Sequence, residues 1–217
     1  MPESEALRRA MVDSQIRPSD VTKYPVLEAM LAIPREPFVP DSHVGAAHAD
    51  SQIPLGGGRY MLEPRTFAKM LDTLDIRPDE LVLDLGSGLG YSAAVIGHIA
   101  DFVIAVEEDE GLAAEAERRL PEAGIDNAAV IAGPLAEGDA RHGPYDVIVL
   151  EGAIETLPDA LAAQLKEGGR IAAIFSEGVA GRARIGVKVA GRIDWHDAFD
   201  ATAPVLRGFE KKKEFAL

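Results

Sequence analysis

The chain contains no cysteine, which excludes a disulfide scaffold, a thiolate nucleophile and a thiolate metal site together. No apolar run reaches the roughly 20 residues that a membrane-spanning helix needs, so no membrane partner is expected. The start, MPESEALRRA, has no apolar stretch of the kind a secretory signal carries, and a cytoplasmic location is expected. Basic residues are outnumbered, 22 Lys and Arg against 36 Asp and Glu, for a formal net charge of −14. A surface this acidic repels phosphate backbones, so nucleic acid is not expected as a partner. Lys211-Lys212-Lys213 is the one basic cluster and reads as a solvated tail. Aromatic residues are few, with one tryptophan, Trp195, which reads as packing. The five histidines (His43, His48, His98, His142, His196) are scattered without ligand spacing, and no metal site is expected.

What is present is an alternation. Residues 1–22 read as a helix broken at Arg17-Pro18, and residues 23–33 as a second helix stopped by Pro34. Residues 43–64 read as loop, with Gly56-Gly57-Gly58 between Pro54 and Pro64, and a helix resumes from Arg65 to Leu74. Then come LVLDL as a strand, YSAAVIGHIA as a helix, FVIAVEE as a strand and GLAAEAERRLPEAG as a helix. AAVIAG and YDVIVLEG read as further strands, PDALAAQLKEGG as a helix ended by its glycines, and RIAAIFSEG as a fifth strand. Strands apolar on both faces and separated by helices predict an α/β fold with a mostly parallel sheet covered on both sides. RARIGVKVAG and RIDWHDAF predict an antiparallel hairpin at its edge.

The turn after the first of these strands, LDLGSGLGY, should hold a ligand, because open α/β sheets bind outside the carboxyl ends of their strands. A dinucleotide fingerprint, G-x-G-x-x-G, needs glycine at position 91, where this chain has Tyr91. A nicotinamide-dependent oxidoreductase is thereby disfavoured. Glu107, 21 residues after Gly86 and followed by Glu108, can accept from both hydroxyls of an unphosphorylated ribose. Asp84 adds a second carboxylate at the turn. Two acids and no phosphate site suit a ligand with a cationic centre and an ammonium group, as in S-adenosylmethionine.

LVLDLGSGLGYSAAVIGHIA resembles the first motif of the protein-L-isoaspartate O-methyltransferases, with Tyr91 and Ala93-Ala94 more specific than the glycines. GPYDVIVLEGAIETLPDALAAQLKEGGRIAAIF, IPREPFVP and HADSQIPLGGG resemble three further segments of that family, in the same order. The resemblance implies a Rossmann-like seven-stranded methyltransferase sheet, mostly parallel with an antiparallel last strand, helices on both faces and a small N-terminal helical extension. It implies two regions: 1–64, extension and acceptor-side loop, and 65–217, the S-adenosylmethionine-binding unit. It implies a cofactor held by Gly86, Ser87 and Gly88 with Glu107 on the ribose, and methyl transfer to the carboxylate of isoaspartyl residues in damaged proteins.

The chain departs from the family pattern on the acceptor side. Where the family has G-x-G-Q-T-I-S-x-P, this chain has Arg59, Tyr60, Met61 and Leu62 before Glu63-Pro64, so two small hydroxyls are replaced by a phenol and an apolar side chain. Tyr60 and Leu62 are the acceptor-loop candidates, and Arg59 could bind a carboxylate bidentately. Pro134 and Leu135 replace the acid that meets adenine, leaving packing and backbone groups for that role, and Glu151 stands where the family has threonine. Three readings remain open: an isoaspartyl methyltransferase, a methyltransferase for another carboxylate, and a non-catalytic cofactor-binding protein.

Overall fold

The structure is a computed structural model that describes residues 2–178 and 180–211. Helix α1 (Pro2–Met11) passes through irregular turns to Asp20, whose left-handed backbone (φ 64°) reverses the chain. Helix α2 (Tyr24–Ala32) carries Pro25 in its first turn, where no N–H partner is needed, and ends before Pro34. Strands β1 (Ile53–Gly56) and β2 (Arg59–Met61) pair antiparallel as a separate two-stranded ribbon. Helix α3 (Pro64–Leu74) then leads into the main sheet.

That sheet comprises β3 (Leu81–Leu85), β4 (Phe102–Glu107), β5 (Ala128–Ala132), β6 (Tyr145–Ile154), β7 (Leu165–Glu177), β8 (Ala180–Val189) and β9 (Arg192–Asp200). Its order is β5-β4-β3-β6-β7-β8-β9, seven strands, with the first five parallel and β8 and β9 each antiparallel to the strand before. Helices α4 (Tyr91–Gly97), α5 (Glu110–Glu122) and α6 (Asp159–Ala163) connect the parallel strands. Alternation along each strand divides the core. Val82, Val103, Val147 and Val149 face the N-terminal helices, while Leu83, Ile104, Ile148 and Leu150 face Leu161, Leu206 and Phe209. The N-terminal residues Ile16, Met30 and Phe38 share the first of these clusters with α3 and Tyr91, so extension and sheet form a continuous core. Among the described residues no helix is long and apolar enough to cross a membrane.

The expected sheet, its parallel part and its antiparallel edge hairpin are all present. Two local expectations need correction. Residues 53–61 form a hairpin rather than a loop; Pro54 and the three glycines hide a pairing of only Ile53 with Met61, Pro54 with Tyr60 and Gly56 with Arg59. The helix expected to run to Gly168-Gly169 stops at Ala163 instead. Lys188 Nζ, from β8, takes the carbonyls of Ala162 (3.0 Å) and Leu165 (2.7 Å), satisfying the helix end that the glycines were expected to cap. Lys212 and Lys213 of the basic cluster lie outside the described residues. Trp195 packs edge-on against Phe175, with centroids 4.8 Å apart.

Candidate functional site

Strand order reverses between β3 and β6, and the crevice at their carboxyl ends is where an open α/β sheet binds its ligand. The turn after β3 occupies it. Gly86 adopts φ 87° and Gly88 φ 57°, conformations that side chains resist, and Gly86 N is anchored on Val106 O (2.8 Å). Tyr91 opens α4 beyond the turn. Glu107 ends β4, fully buried, and accepts from Gly88 N (2.8 Å) and Asp109 N (3.2 Å).

Three carboxylates converge on this crevice. Asp84, at 0% exposure, accepts from the Ser92 hydroxyl (2.6 Å) through Oδ2, while its Oδ1 has no partner. Glu151 is buried within β6 and its Oε1 is likewise unpartnered, as is the hydroxyl of Ser87. Burial pushes the Asp84 carboxyl up to about 7; the charge of Glu107 adds to this, while the Ser92 hydroxyl and Arg59 oppose it. Burial likewise raises Glu151 well above the ordinary carboxylate range, with the charge of Asp84 adding to it and Arg59 and Arg35 opposing. Orphaned buried oxygens cost free energy unless something donates to them. The unpartnered oxygens of Asp84 and Glu151 fit an amino group, and the Glu107 carboxylate at the tip of β4 stands where a ribose diol could exchange for its present donors.

The site holds one residue that the sequence did not mark, Arg35, and one that it marked for another partner, Arg59. Arg35, at 0% exposure, lies 4.6 Å over the Tyr91 ring and donates through Nη2 to Leu62 O (2.6 Å). A lone arginine in the apolar, proline-rich segment IPREPFVP was the available signal. Arg59 does not present its guanidinium to the open site. It turns inward, with Nε 3.2 Å from Glu107 Oε1, Nη2 3.3 Å from Glu107 Oε2, and Nη2 donating to Gly86 O (2.8 Å).

The other candidates fall in different surroundings. Tyr60, Leu62, Gly86, Ser87, Tyr91 and Glu151 line one small cavity, and Leu62 is also part of the core. Tyr91 points its hydroxyl at Met30 Sδ (3.6 Å), packs against Phe38 and Phe67, and so supports the wall. Glu108 is half-buried and 3.9 Å from Arg207. Pro134 is exposed, whereas Leu135 is buried in the core cluster on the far face of the sheet. Among the described residues no cluster of side chains could hold a metal ion.

The family model described as protein-L-isoaspartate(D-aspartate) O-methyltransferase matches residues 6–182. The chain belongs to that family. It is 41% identical over 167 residues to the protein-L-isoaspartate O-methyltransferase of Koribacter versatilis (strain Ellin345), covering 76% of this chain and 75% of the relative. It is 37% identical over 211 residues to protein-L-isoaspartate O-methyltransferase 2 of Anaeromyxobacter sp. (strain Fw109-5), covering 95% and 85% of the two chains. The fold also matches a Plasmodium falciparum structure described as a protein-L-isoaspartate O-methyltransferase in complex with S-adenosyl-L-homocysteine. There the TM-score is 0.79 at 19% identity, over 94% of this chain and 98% of that one. The family is one of S-adenosylmethionine-dependent protein carboxyl methyltransferases, as the glycine turn and Glu107 suggested.

Proposed function

We propose that the protein transfers a methyl group from S-adenosylmethionine to the side-branch carboxylate of isoaspartyl residues in damaged proteins. The observation that carries the reading is Glu107, a buried carboxylate at the tip of β4 beside the glycine turn, in a chain of this family. Glu107 would hold the ribose hydroxyls, and Gly86, Ser87 and Gly88 would line the donor. The free oxygens of Asp84 and Glu151 suit its ammonium group. We assign residues 1–64 to the acceptor side and 65–217 to the cofactor-binding unit.

The bound donor supplies a methyl on cationic sulfur; the acceptor oxygen forms the new C–O bond as the C–S bond breaks and its electron pair returns to sulfur. An acceptor carboxylate is already ionised at neutral pH, so the protein needs no general base. Its task is alignment, and effective molarity can supply about 7–11 kcal/mol of the barrier. Tyr60 and Leu62, which line the same cavity as Gly86 and Ser87, would set the acceptor's approach. The absence of cysteine and the net charge of −14 support a cytoplasmic enzyme acting on proteins rather than nucleic acid.

Labelled methyl donor, an isoaspartyl peptide and its aspartyl counterpart test the reading. Label is expected in the isoaspartyl peptide alone. Label in neither peptide, or equally in both, would overturn it.

A further inference from the structure

Glu107 has no acceptor capacity to spare. A carboxylate offers about four lone-pair sites. Gly88 N and Asp109 N take two, and Arg59 Nε and Nη2 take the others. The two amides are fixed by the backbone of the glycine turn and of the residues after β4. Only the Arg59 pair can yield to a ribose diol. Its bonds, at 3.2 and 3.3 Å, are longer than the roughly 2.7–2.9 Å of a tight charge-assisted pair. They form a contact that can be exchanged.

The same ribbon blocks the turn in a second place. A methyl group built on Gly86 would overlap the Arg59 guanidinium, and one built on Gly88 would overlap the Leu55 side chain. The close approach that glycines permit is therefore made here by the chain's own residues. The cavity left between ribbon and turn measures about 10 Å³, space for one water. Sites for drug-sized ligands run to about 300–1,000 Å³.

We infer that the β1–β2 ribbon is a self-occluding latch, in which Arg59 holds Glu107, the carboxylate proposed for the ribose hydroxyls, and Leu55 covers the glycine turn until ligand displaces them. The inference rests on the proposed use of Glu107 for the ribose. The ribbon is built to move. It is a two-stranded sheet of its own, its register is irregular between Pro54 and Gly56, and its tip, Gly56 to Gly58, is exposed. Two-stranded pairing adds little stability of its own, and Ile53 and Met61 anchor the ribbon's ends in the core, so opening is confined to the Leu55–Arg59 tip. The position carrying Arg59 thus sets apparent affinity: a ligand that binds only the open form has its dissociation constant divided by the open fraction.

Calorimetry with S-adenosylhomocysteine on the full chain tests the latch. Arg59→Gln should bind at least about tenfold tighter than wild type, as expected if the open form is a tenth or less of the population. Arg59→Lys should fall between them. Leu55→Ala, which leaves the charges alone, should shift affinity the same way by a smaller factor, and denaturant unfolding confirms that each variant is folded. Hydrogen exchange without ligand gives a second readout: amides of residues 55–59 should exchange faster in Arg59→Gln than in wild type. Equal or weaker binding by folded Arg59→Gln and Leu55→Ala overturns the latch and leaves the cofactor reading intact. If no form binds S-adenosylhomocysteine, the cofactor reading fails and the latch fails with it.

Discussion

The guanidinium of Arg35 lies 4.6 Å above the ring of Tyr91, and both side chains are sealed from solvent. Burial lowers the pKa of the arginine and raises that of the tyrosine. Nε and Nη1 of Arg35 have no hydrogen-bond partner, so the ring face is the main compensation for burying that charge. Replacing Tyr91 by Ala removes the ring from Arg35, Phe38 and Phe67 together and should cost about 3–5 kcal/mol in denaturant unfolding. Tyr91→Phe keeps the ring and loses the hydroxyl's long contact to Met30 Sδ and its attraction for Arg35, and should cost about 1 kcal/mol. Equal losses in both variants would show that the hydroxyl, and not the ring, holds the wall.

Asp84 gives stability a pH dependence of definite sign. Its folded pKa of about 7 exceeds the ordinary 3.8, so between those values the native chain keeps a proton that the unfolded chain has released. Its contribution is fully present below about pH 4 and is lost as pH rises through about 7. Asp84→Asn, neutral at every pH, should match wild type near pH 4 and gain on it steadily toward pH 7. Melting temperatures of the two proteins measured across that range check this. A difference that does not change with pH would mean that Asp84 is ionised in the fold.

Glu107 and Arg59 should behave as one unit. Glu107→Ala leaves Arg59 buried without a counter-charge and removes the acceptor for two backbone amides, so it should cost about 3–5 kcal/mol. Adding Arg59→Ala to that variant removes the stranded cation and should recover at least about 1 kcal/mol. A full double-mutant cycle measures the coupling. Strictly additive losses would count against a direct ion pair.

The glycine turn, β4 and Glu107 were legible because each is fixed by chemistry within a few residues: an apolar run, a turn only glycine tolerates, an acid at a strand end. The role of Arg59 was not. Its partner Glu107 is 48 positions away, and nothing local distinguishes an arginine reaching outward from one folded back on its own sheet. The β1–β2 ribbon escaped for a related reason, since proline and three glycines erase the alternation by which strands are read. The end of α6 was set by Lys188, contributed from β8 after the chain had crossed β7, so the glycines that seemed to cap it had no such task.

The proposed acceptor wall leads to a prediction about rate. Leu62 is 2% exposed, and its carbonyl holds Arg35, whereas Tyr60 is half-buried on the same cavity. Both stand where the family pattern has small hydroxyl residues, and a displacement of about 1 Å in an aligned reaction can cost about a hundredfold. The double variant Tyr60→Thr, Leu62→Ser restores short donors and frees space next to Ser87 and Glu151. Turnover on an isoaspartyl peptide should rise at least about tenfold if alignment limits the wild type. The serine in an apolar position should cost about 2–4 kcal/mol of stability, through lost burial and a hydroxyl seeking a partner. Kinetics and unfolding must therefore be measured on the same preparations. A fall in turnover in a variant that remains folded would show that the phenol and the leucine are themselves the acceptor surface, shaped for a carboxylate that approaches differently.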